Sequence, residues 1–131
     1  MLERPTNREI FEGELATYWL RDDGILVSVS KSPKRTIENV KANHVLVKKI
    51  TKGKRAPLLI YLSNSPIPDK ETRKFSAEQL PNVYSAMAMV SKPGLASLIM
   101  KMVFAFKPPT IPTKSFTDDQ KALEWLKGFV E

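Results

Sequence analysis

Hydrophobic and polar residues alternate along the chain in a pattern that predicts strands and helices in succession. Residues 11–20 alternate weakly, residues 22–24 (Asp-Asp-Gly) suit a tight turn, and residues 25–29 form a β-branched run. Together these features predict a hairpin. The next apolar residues recur at helical spacing between Thr36, a good N-cap, and Gly53, a good stop residue. This helix has an apolar side and a lysine-rich side, so we expect it to cover a sheet.

A continuously apolar run over residues 57–62 predicts a strand that is covered on both faces, at the centre of the sheet. We expect it to lie parallel to the second strand of the hairpin. A proline-rich loop follows, and Asp69 then caps a short helix through Phe75. The sequence predicts a further helical turn before Pro81 and another strand over residues 83–90.

A helix that is opened by Pro93 and Gly94 and ended by Pro108 comes next, and is called the Met100 helix here. Its main apolar face has the spacing of a core-facing helix. Met100 and Phe104, four residues apart, point away from that face, so the helix is apolar on more than one side. These two side chains suit a homodimer interface first, the core second, and the mouth of an apolar cavity third.

The chain closes with a short edge strand over residues 110–116 and an amphipathic helix. Thr117 and Gln120 have the spacing of a capping box, and Asp118 and Asp119 suit the positive end of a helix. The predicted order is therefore ββαβαβαβα, an α/β arrangement in which helices flank a mostly parallel, mixed sheet.

Composition limits the classes of protein to which the chain can belong. Its 131 residues, 42% hydrophobic and 27% charged, predict one folded domain over residues 1–131, with residues 1–8 as a loosely ordered extension. The chain has no cysteine, which excludes disulfides, thiol catalysis and thiolate metal sites. The pattern contains no signal peptide and no apolar stretch of the roughly 20 residues that span a membrane, so we expect a cytoplasmic protein.

The formal net charge of +7 raises the question of nucleic-acid binding. Basic residues cluster at 31–35 and 48–55, but aromatic residues do not alternate with them as they do in single-strand binders. No DNA-binding or RNA-binding motif accompanies the clusters. We interpret them as solvated surface and expect no nucleic-acid partner.

The sequence contains no catalytic or metal-binding motif, so we expect no enzyme activity, no cofactor and no metal. His44 is the single histidine, and it lies at the edge of an apolar helix face. Such a histidine is more often packed and hydrogen-bonded than catalytic. It precedes Ser63 and Ser65, and no glycine flanks these serines, which argues against a serine hydrolase.

The predicted order of elements can now be combined with the ending Phe116-Thr117-Asp118-Asp119, which is followed by Ala122 and Trp125-Leu126. Together they resemble the SpoIIAA-like fold of STAS domains, in particular the bacterial members that stand alone. The resemblance covers nearly the whole chain. It implies a non-catalytic protein-interaction or regulatory module, and it also implies a relation to CRAL-TRIO domains, which bind lipids.

The resemblance places a candidate switch or partner-binding loop after the central strand, at Ser63, Asn64, Ser65 and Asp69. Ligands and partners gather at the carboxyl ends of parallel strands, and a phosphate on either serine would add close to two negative charges there. STAS switches carry an Asp-Ser pair at this place, whereas this chain has Ser63-Asn64. The same residues also suit a simple turn.

These observations favour an interaction module that is a homodimer and that contacts a protein partner through this loop. The alternative is a carrier or sensor that binds a hydrophobic small molecule or lipid under the Met100 helix.

Overall fold

The computed structural model describes residues 2–62, 66, 68–91 and 110–131. Within these ranges six strands form one sheet in sequential order, β1-β2-β3-β4-β5-β6. The strands are β1 (Phe11–Glu12), β2 (Ala16–Leu20), β3 (Leu26–Ser30), β4 (Ala56–Tyr61), β5 (Tyr84–Val90) and β6 (Thr113–Phe116). The described helices are α1 (Ile37–Ile50), α2 (Lys70–Val83) and α3 (Asp119–Leu126), and a single 3₁₀ turn (Lys127–Phe129) follows α3.

The first two pairings, β1 with β2 and β2 with β3, are antiparallel, and the three pairings from β3 to β6 are parallel. The prediction of an α/β fold with a mixed sheet is confirmed. The described elements run β-β-β-α-β-α-β and then β-α, with residues 92–109 between the two groups. The Met100 helix, including Met100 and Phe104, lies outside the described residues.

The prediction of one strand over residues 11–20 is wrong, because the chain turns back on itself there. The Gly13 N–H donates to the Ala16 carbonyl oxygen at 2.9 Å, which closes a tight turn between β1 and β2. A Cβ atom on Gly13 would lie 2.9 Å from Leu46 Cδ2 on α1 and 3.1 Å from the Ala16 carbonyl oxygen. A larger residue would have to displace the end of the Leu46 side chain and crowd this carbonyl oxygen, so glycine suits the turn. Strand β1 therefore precedes the predicted hairpin as a separate, third strand.

The central position of the apolar run is confirmed. Strand β4 pairs in parallel with β3 on one side and with β5 on the other. Its side chains alternate between the two faces of the sheet: Leu58 joins one core cluster and Leu59 joins the other. Both faces are covered, which is why the strand is apolar without interruption.

Each face of the sheet has its own layer of helices. Side chains of α1 and α2, including Val47 and Leu80, pack with one face, and Leu123 and Leu126 of α3 pack with the other. On the α3 side, the Trp125 ring lies between the rings of Phe116 and Phe129, with centroid distances of 5.8 and 4.9 Å. The described helices therefore flank the sheet as predicted.

Two helix boundaries differ from the sequence prediction. Helix α2 continues through Pro81 to Val83 as one element, although a break was expected before the proline. The capping box that was predicted for Thr117 and Gln120 is wrong, because Asp118 is the N-cap of α3 and its carboxylate accepts from the Gln120 N–H at 2.8 Å. Aspartate caps a helix as well as threonine does, so the pattern alone could not choose between adjacent residues.

Candidate functional site

A cavity of about 130 Å³ lies between the sheet and the helix layer that α1 and α2 form. Its floor consists of inward-facing residues of β2, β3, β4 and β5, and its walls come from the two helices. Apolar residues make up much of the lining: Leu15, Ala16, Val40, Leu58, Ile60, Leu80 and Met87. The polar lining residues are Tyr18, Ser28, Ser30, Arg35, Asn43, His44, Ser76 and Tyr84.

The floor of the cavity contains two buried tyrosines that share hydrogen bonds. The Tyr18 hydroxyl donates to Asn43 Oδ1 at 2.8 Å, and the hydroxyls of Tyr84 and Ser28 also interact with Tyr18. Tyr18 is 3% exposed and Tyr84 is 4% exposed. This polar cluster joins three strands to α1 inside a layer that is otherwise apolar.

Burial raises the pKa of the Tyr18 hydroxyl, although its hydrogen bonds with Asn43, Tyr84 and Ser28 act in the opposite direction. Burial also raises the pKa of the Tyr84 hydroxyl well above its usual value, and the neighbouring Tyr18 adds to the effect. Both phenols therefore stay neutral at physiological pH and keep a proton that they can donate.

Arg35 brings a cationic group to the cavity. It lies in the segment between β3 and α1, directly before the N-cap residue Thr36. Burial lowers the pKa of its guanidinium, and the nearby Tyr18 acts in the opposite direction. An arginine keeps its charge under all physiological conditions, so a cation stands beside the tyrosine cluster in a partly desolvated place.

Asn39 in the first turn of α1 holds the backbone on both sides of Arg35. Its Oδ1 accepts from the Thr36 N–H at 2.8 Å, and its own N–H donates to Thr36 Oγ1 at 3.1 Å, which completes a capping box. Its Nδ2 donates to the Lys34 carbonyl oxygen at 3.0 Å. The residues before and after Arg35 are thus tied to one buried side chain.

His44 lines the cavity from α1 and is half-buried. Burial lowers the pKa of its imidazole, and the positive charge of Lys48 lowers it further. The ring is therefore neutral at physiological pH and offers one N–H donor and one lone pair. The expectation of a packed histidine agrees with this burial, but the side chain also borders the cavity.

The lining of the cavity combines several kinds of polar group with apolar side chains. It offers a guanidinium, neutral phenol and imidazole groups, an amide and hydroxyls, next to an apolar wall. Among the described residues that line the cavity, none is an aspartate or a glutamate. Elsewhere in the described ranges, no three His, Cys, Asp or Glu side chains cluster as a metal site would require.

Of the candidate loop residues from the sequence, Asp69 is the one that the structure describes, and it is not among the described lining residues of the cavity. Ser63, Asn64 and Ser65 lie outside the described residues. Asp69 is exposed and caps α2, since its Oδ1 accepts from the Thr72 N–H at 2.8 Å. This hydrogen bond and the Thr72 side chain are the main causes that lower the pKa of the Asp69 carboxyl, and the positive charges of Lys34 and Arg73 lower it further.

The carboxyl end of β4 carries a different polar contact. The Tyr61 hydroxyl donates to Asp119 Oδ2 at 2.9 Å and accepts from the Leu2 N–H at 2.8 Å. Burial and the Asp119 carboxylate raise the pKa of Tyr61 to about 12, with the Leu2 N–H opposing them. This contact ties the start of α3 and the segment around Leu2 to the end of the central strand.

Sequence reasoning missed Tyr18, Arg35, Asn43 and Tyr84. The sequence pattern assigns Arg35 to a basic cluster on the solvated surface, whereas in the structure Arg35 lines the cavity. The sequence holds one indication that this segment is ordered. Asn39 lies three residues after Thr36, and the two residues form a capping box that restrains the backbone beside Arg35.

A family model described as a domain of unknown function, DUF7793, matches residues 18–130. The matched range includes every polar residue that lines the cavity. No curated protein and no solved structure matches the chain. None of the helices in the described ranges is long and apolar enough to cross a bilayer.

Proposed function

The chain belongs to the DUF7793 family, and we propose that it is a non-catalytic module that binds a small molecule between its sheet and helices α1 and α2. The observation that supports this function is the cavity of about 130 Å³, in which a guanidinium and a hydrogen-bonded tyrosine pair stand beside an apolar wall. A sensor or a carrier would each use such a cavity. The alternative site that the sequence suggests, under the Met100 helix, lies outside the described residues.

The volume of the cavity determines the size of ligand that we expect. An engineered apolar cavity of about 150 Å³ holds one benzene molecule. This cavity, which measures about 130 Å³ and is partly open to solvent, can enclose a ligand, or a part of one, of about six non-hydrogen atoms. Small-molecule sites typically combine an apolar lining with a few polar groups that fix orientation, and this cavity has both.

A fragment titration of the ¹⁵N-labelled protein, followed by NMR, tests this function. We expect small fragments to shift the amide resonances of lining residues such as Ser28, Asn43 and Met87. Two variants that fill the cavity, Ala16→Leu and Ser76→Leu, should each abolish these shifts, because both side chains line the cavity. The matched control is Ala42→Leu, which adds the same atoms at an exposed position of α1 and should leave binding intact.

Two results would contradict the proposal. In one, no fragment shifts the resonances of the lining residues in the folded wild-type protein. In the other, fragments bind equally well to the wild type and to both filled variants. The two filling positions lie on different elements, so a folding defect in one variant still leaves the other for comparison.

A second candidate function is a homodimeric, STAS-type interaction module whose partner contacts the rim at Ser63, Asn64, Ser65 and Asp69. The interior position of β4 favours it, because the chain leaves the sheet after Tyr61 at the edge where parallel strands end.

Size-exclusion chromatography with light scattering tests whether the protein is a dimer. We expect a dimer mass that Phe104→Lys reduces to a monomer, while the control Val45→Lys on the exposed side of α1 stays dimeric. A wild-type monomer at all concentrations would refute the homodimer.

A further inference from the structure

We propose that the ligand of this cavity is a small carboxylate whose head group binds Arg35 and whose apolar part lies against Leu58, Leu80 and Met87. The inference rests on the proposed small-molecule function and assigns the chemical class of the ligand. Three observations support it: the charge of the lining, the restrained backbone on both sides of Arg35, and the presence of both polar and apolar side chains in the lining.

The charges around the cavity favour an anion. Arg35 carries a positive charge at the wall, and the described lining residues include no carboxylate. The remaining polar groups, among them Tyr18, Tyr84 and His44, are neutral hydrogen-bonding groups. Lys48 lies close enough to His44 to influence it, and adds to the positive potential. A ligand with one negative charge would match this potential.

The shape of the guanidinium favours a carboxylate over other anions. Its planar fork donates two parallel hydrogen bonds to the two oxygens of a carboxylate. Its five N–H groups allow this contact in addition to contacts with protein groups. A phosphate with two charges would leave one of them without a matching cation in a partly desolvated cavity, which is costly.

The backbone that carries Arg35 is restrained before any ligand arrives. Asn39 binds the Lys34 carbonyl oxygen and the Thr36 N–H, so the backbone on both sides of Arg35 is restrained. A segment whose backbone is already ordered loses less entropy when one of its side chains binds a ligand. The same Asn39 side chain is 9% exposed, so water competes little for its hydrogen bonds.

The apolar part of the lining determines the rest of the ligand. Leu58 on β4, Leu80 on α2 and Met87 on β5 meet on the floor and wall of the cavity. These side chains cannot satisfy polar groups, so the ligand should carry a short hydrocarbon part in addition to its head group. A branched carboxylate of about six non-hydrogen atoms matches both the volume and the mixed polar and apolar lining.

A comparison of isobutyrate with isobutyramide tests the inference, because the two molecules have the same shape and differ in charge. Each is titrated into the ¹⁵N-labelled protein, and the dissociation constant is taken from the resonances of lining residues. We expect isobutyrate to bind at least about tenfold more tightly, since hydrogen bonds between charged groups are the stronger ones. Arg35→Gln should remove this preference. Arg55→Gln removes the same charge from a surface ion pair with Glu131 and should keep it.

Each outcome decides the inference. Equal binding of isobutyrate and isobutyramide, or tighter binding of inorganic phosphate than of isobutyrate, would refute the carboxylate while the small-molecule function stands. A preference that survives Arg35→Gln would refute the role of Arg35. If Arg35→Gln does not fold, the comparison of the two probes on the wild type still decides the ligand class. If no probe or fragment binds the cavity, the proposed function fails together with the inference.

Discussion

The Asn39 side chain joins the start of α1 to the segment that carries Arg35. Its amide group takes part in two hydrogen bonds, accepting from the Thr36 N–H and donating to the Lys34 carbonyl oxygen, and the Asn39 backbone N–H donates to the Thr36 hydroxyl. A capping box normally satisfies the free N–H groups of a helix start. Here it also positions a cationic residue at a cavity, so a local rule of helix formation has a consequence for binding.

Replacement of Asn39 by alanine should destabilise the protein by about 1–2 kcal/mol, because it removes the capping box and the hydrogen bond to Lys34. Urea unfolding measures this change. The control is Asn82→Ala, which removes an exposed amide with a hydrogen bond to Gln79 and should change the stability by less than about 0.5 kcal/mol. Similar effects of the two substitutions would mean that Asn39 does not hold the segment.

His44 provides a prediction about pH, and it can be measured cleanly because the chain has no other histidine. Burial and Lys48 lower the pKa of the imidazole below its ordinary value of about 6.5. Arg35 also lines the cavity as a cation, while Tyr18 and Tyr84 stay neutral throughout this range. An NMR titration of the imidazole protons should therefore give a midpoint below about 6.5.

The same shift makes stability depend on pH. Below about pH 6.5 the unfolded chain takes up a proton at His44 before the folded protein does, so stability falls as the pH falls through this value. The loss continues until the pH reaches the lower pKa of the folded state. His44→Gln should remove this part of the pH dependence, and an identical pH profile of wild type and variant would contradict the burial of the imidazole.

At the scale of elements, the position of β4 could be predicted from sequence, whereas the turn before β2 could not. An uninterrupted apolar run is typical of an interior strand whose two faces are both covered, and β4 lies in such a position between β3 and β5. The break at Gly13 depends on how closely α1 approaches the turn. Gly13 and Leu46 are 33 positions apart in the sequence, so the alternation of residues within a strand gives no sign of this contact. Local patterns thus define elements, while contacts between elements determine where some of them end.

Gly13→Ala tests this explanation of the turn. The added Cβ would meet Leu46 Cδ2 at 2.9 Å and the Ala16 carbonyl oxygen at 3.1 Å, so we expect a loss of about 1–2 kcal/mol. Gly128→Ala is the matched control, because no atom lies within 4 Å of the same added group. It should be neutral or stabilising by up to about 1 kcal/mol. A loss of stability in the control as large as that in Gly13→Ala would contradict the steric argument.

At the scale of the whole molecule, the two faces of the sheet are packed differently. The α3 side is packed with apolar and aromatic side chains around Trp125, and the side of α1 and α2 contains the cavity and its polar cluster. The sequence did not predict this difference. Ser28 alternates with Val27 and Val29, a pattern that is typical of a strand with one solvated face. Helices cover both faces of this sheet, however, and Ser28 is buried.

The candidate site was therefore harder to predict than the fold. Tyr18, Asn43 and Tyr84 lie on three separate elements, and only the pairing of strands and the packing of α1 bring them together. The sequence drew attention instead to helix starts such as Asp69, whose capping role accounts for its position. Residues that come together in a cavity from separate elements have no regular spacing along the sequence, so no sequence pattern identifies them as a group.

The most direct test of the small-molecule function is to observe a ligand inside the cavity. An isotope-filtered NOE experiment with unlabelled isobutyrate and the ¹³C-labelled protein reports which protein methyl groups lie near the methyl groups of the ligand. We predict contacts with the methyl groups of Leu58, Leu80 and Met87 in the wild type and in Ala42→Leu, and their loss in Ala16→Leu. Contacts with residues elsewhere on the protein, or contacts that persist in Ala16→Leu, would contradict the proposal.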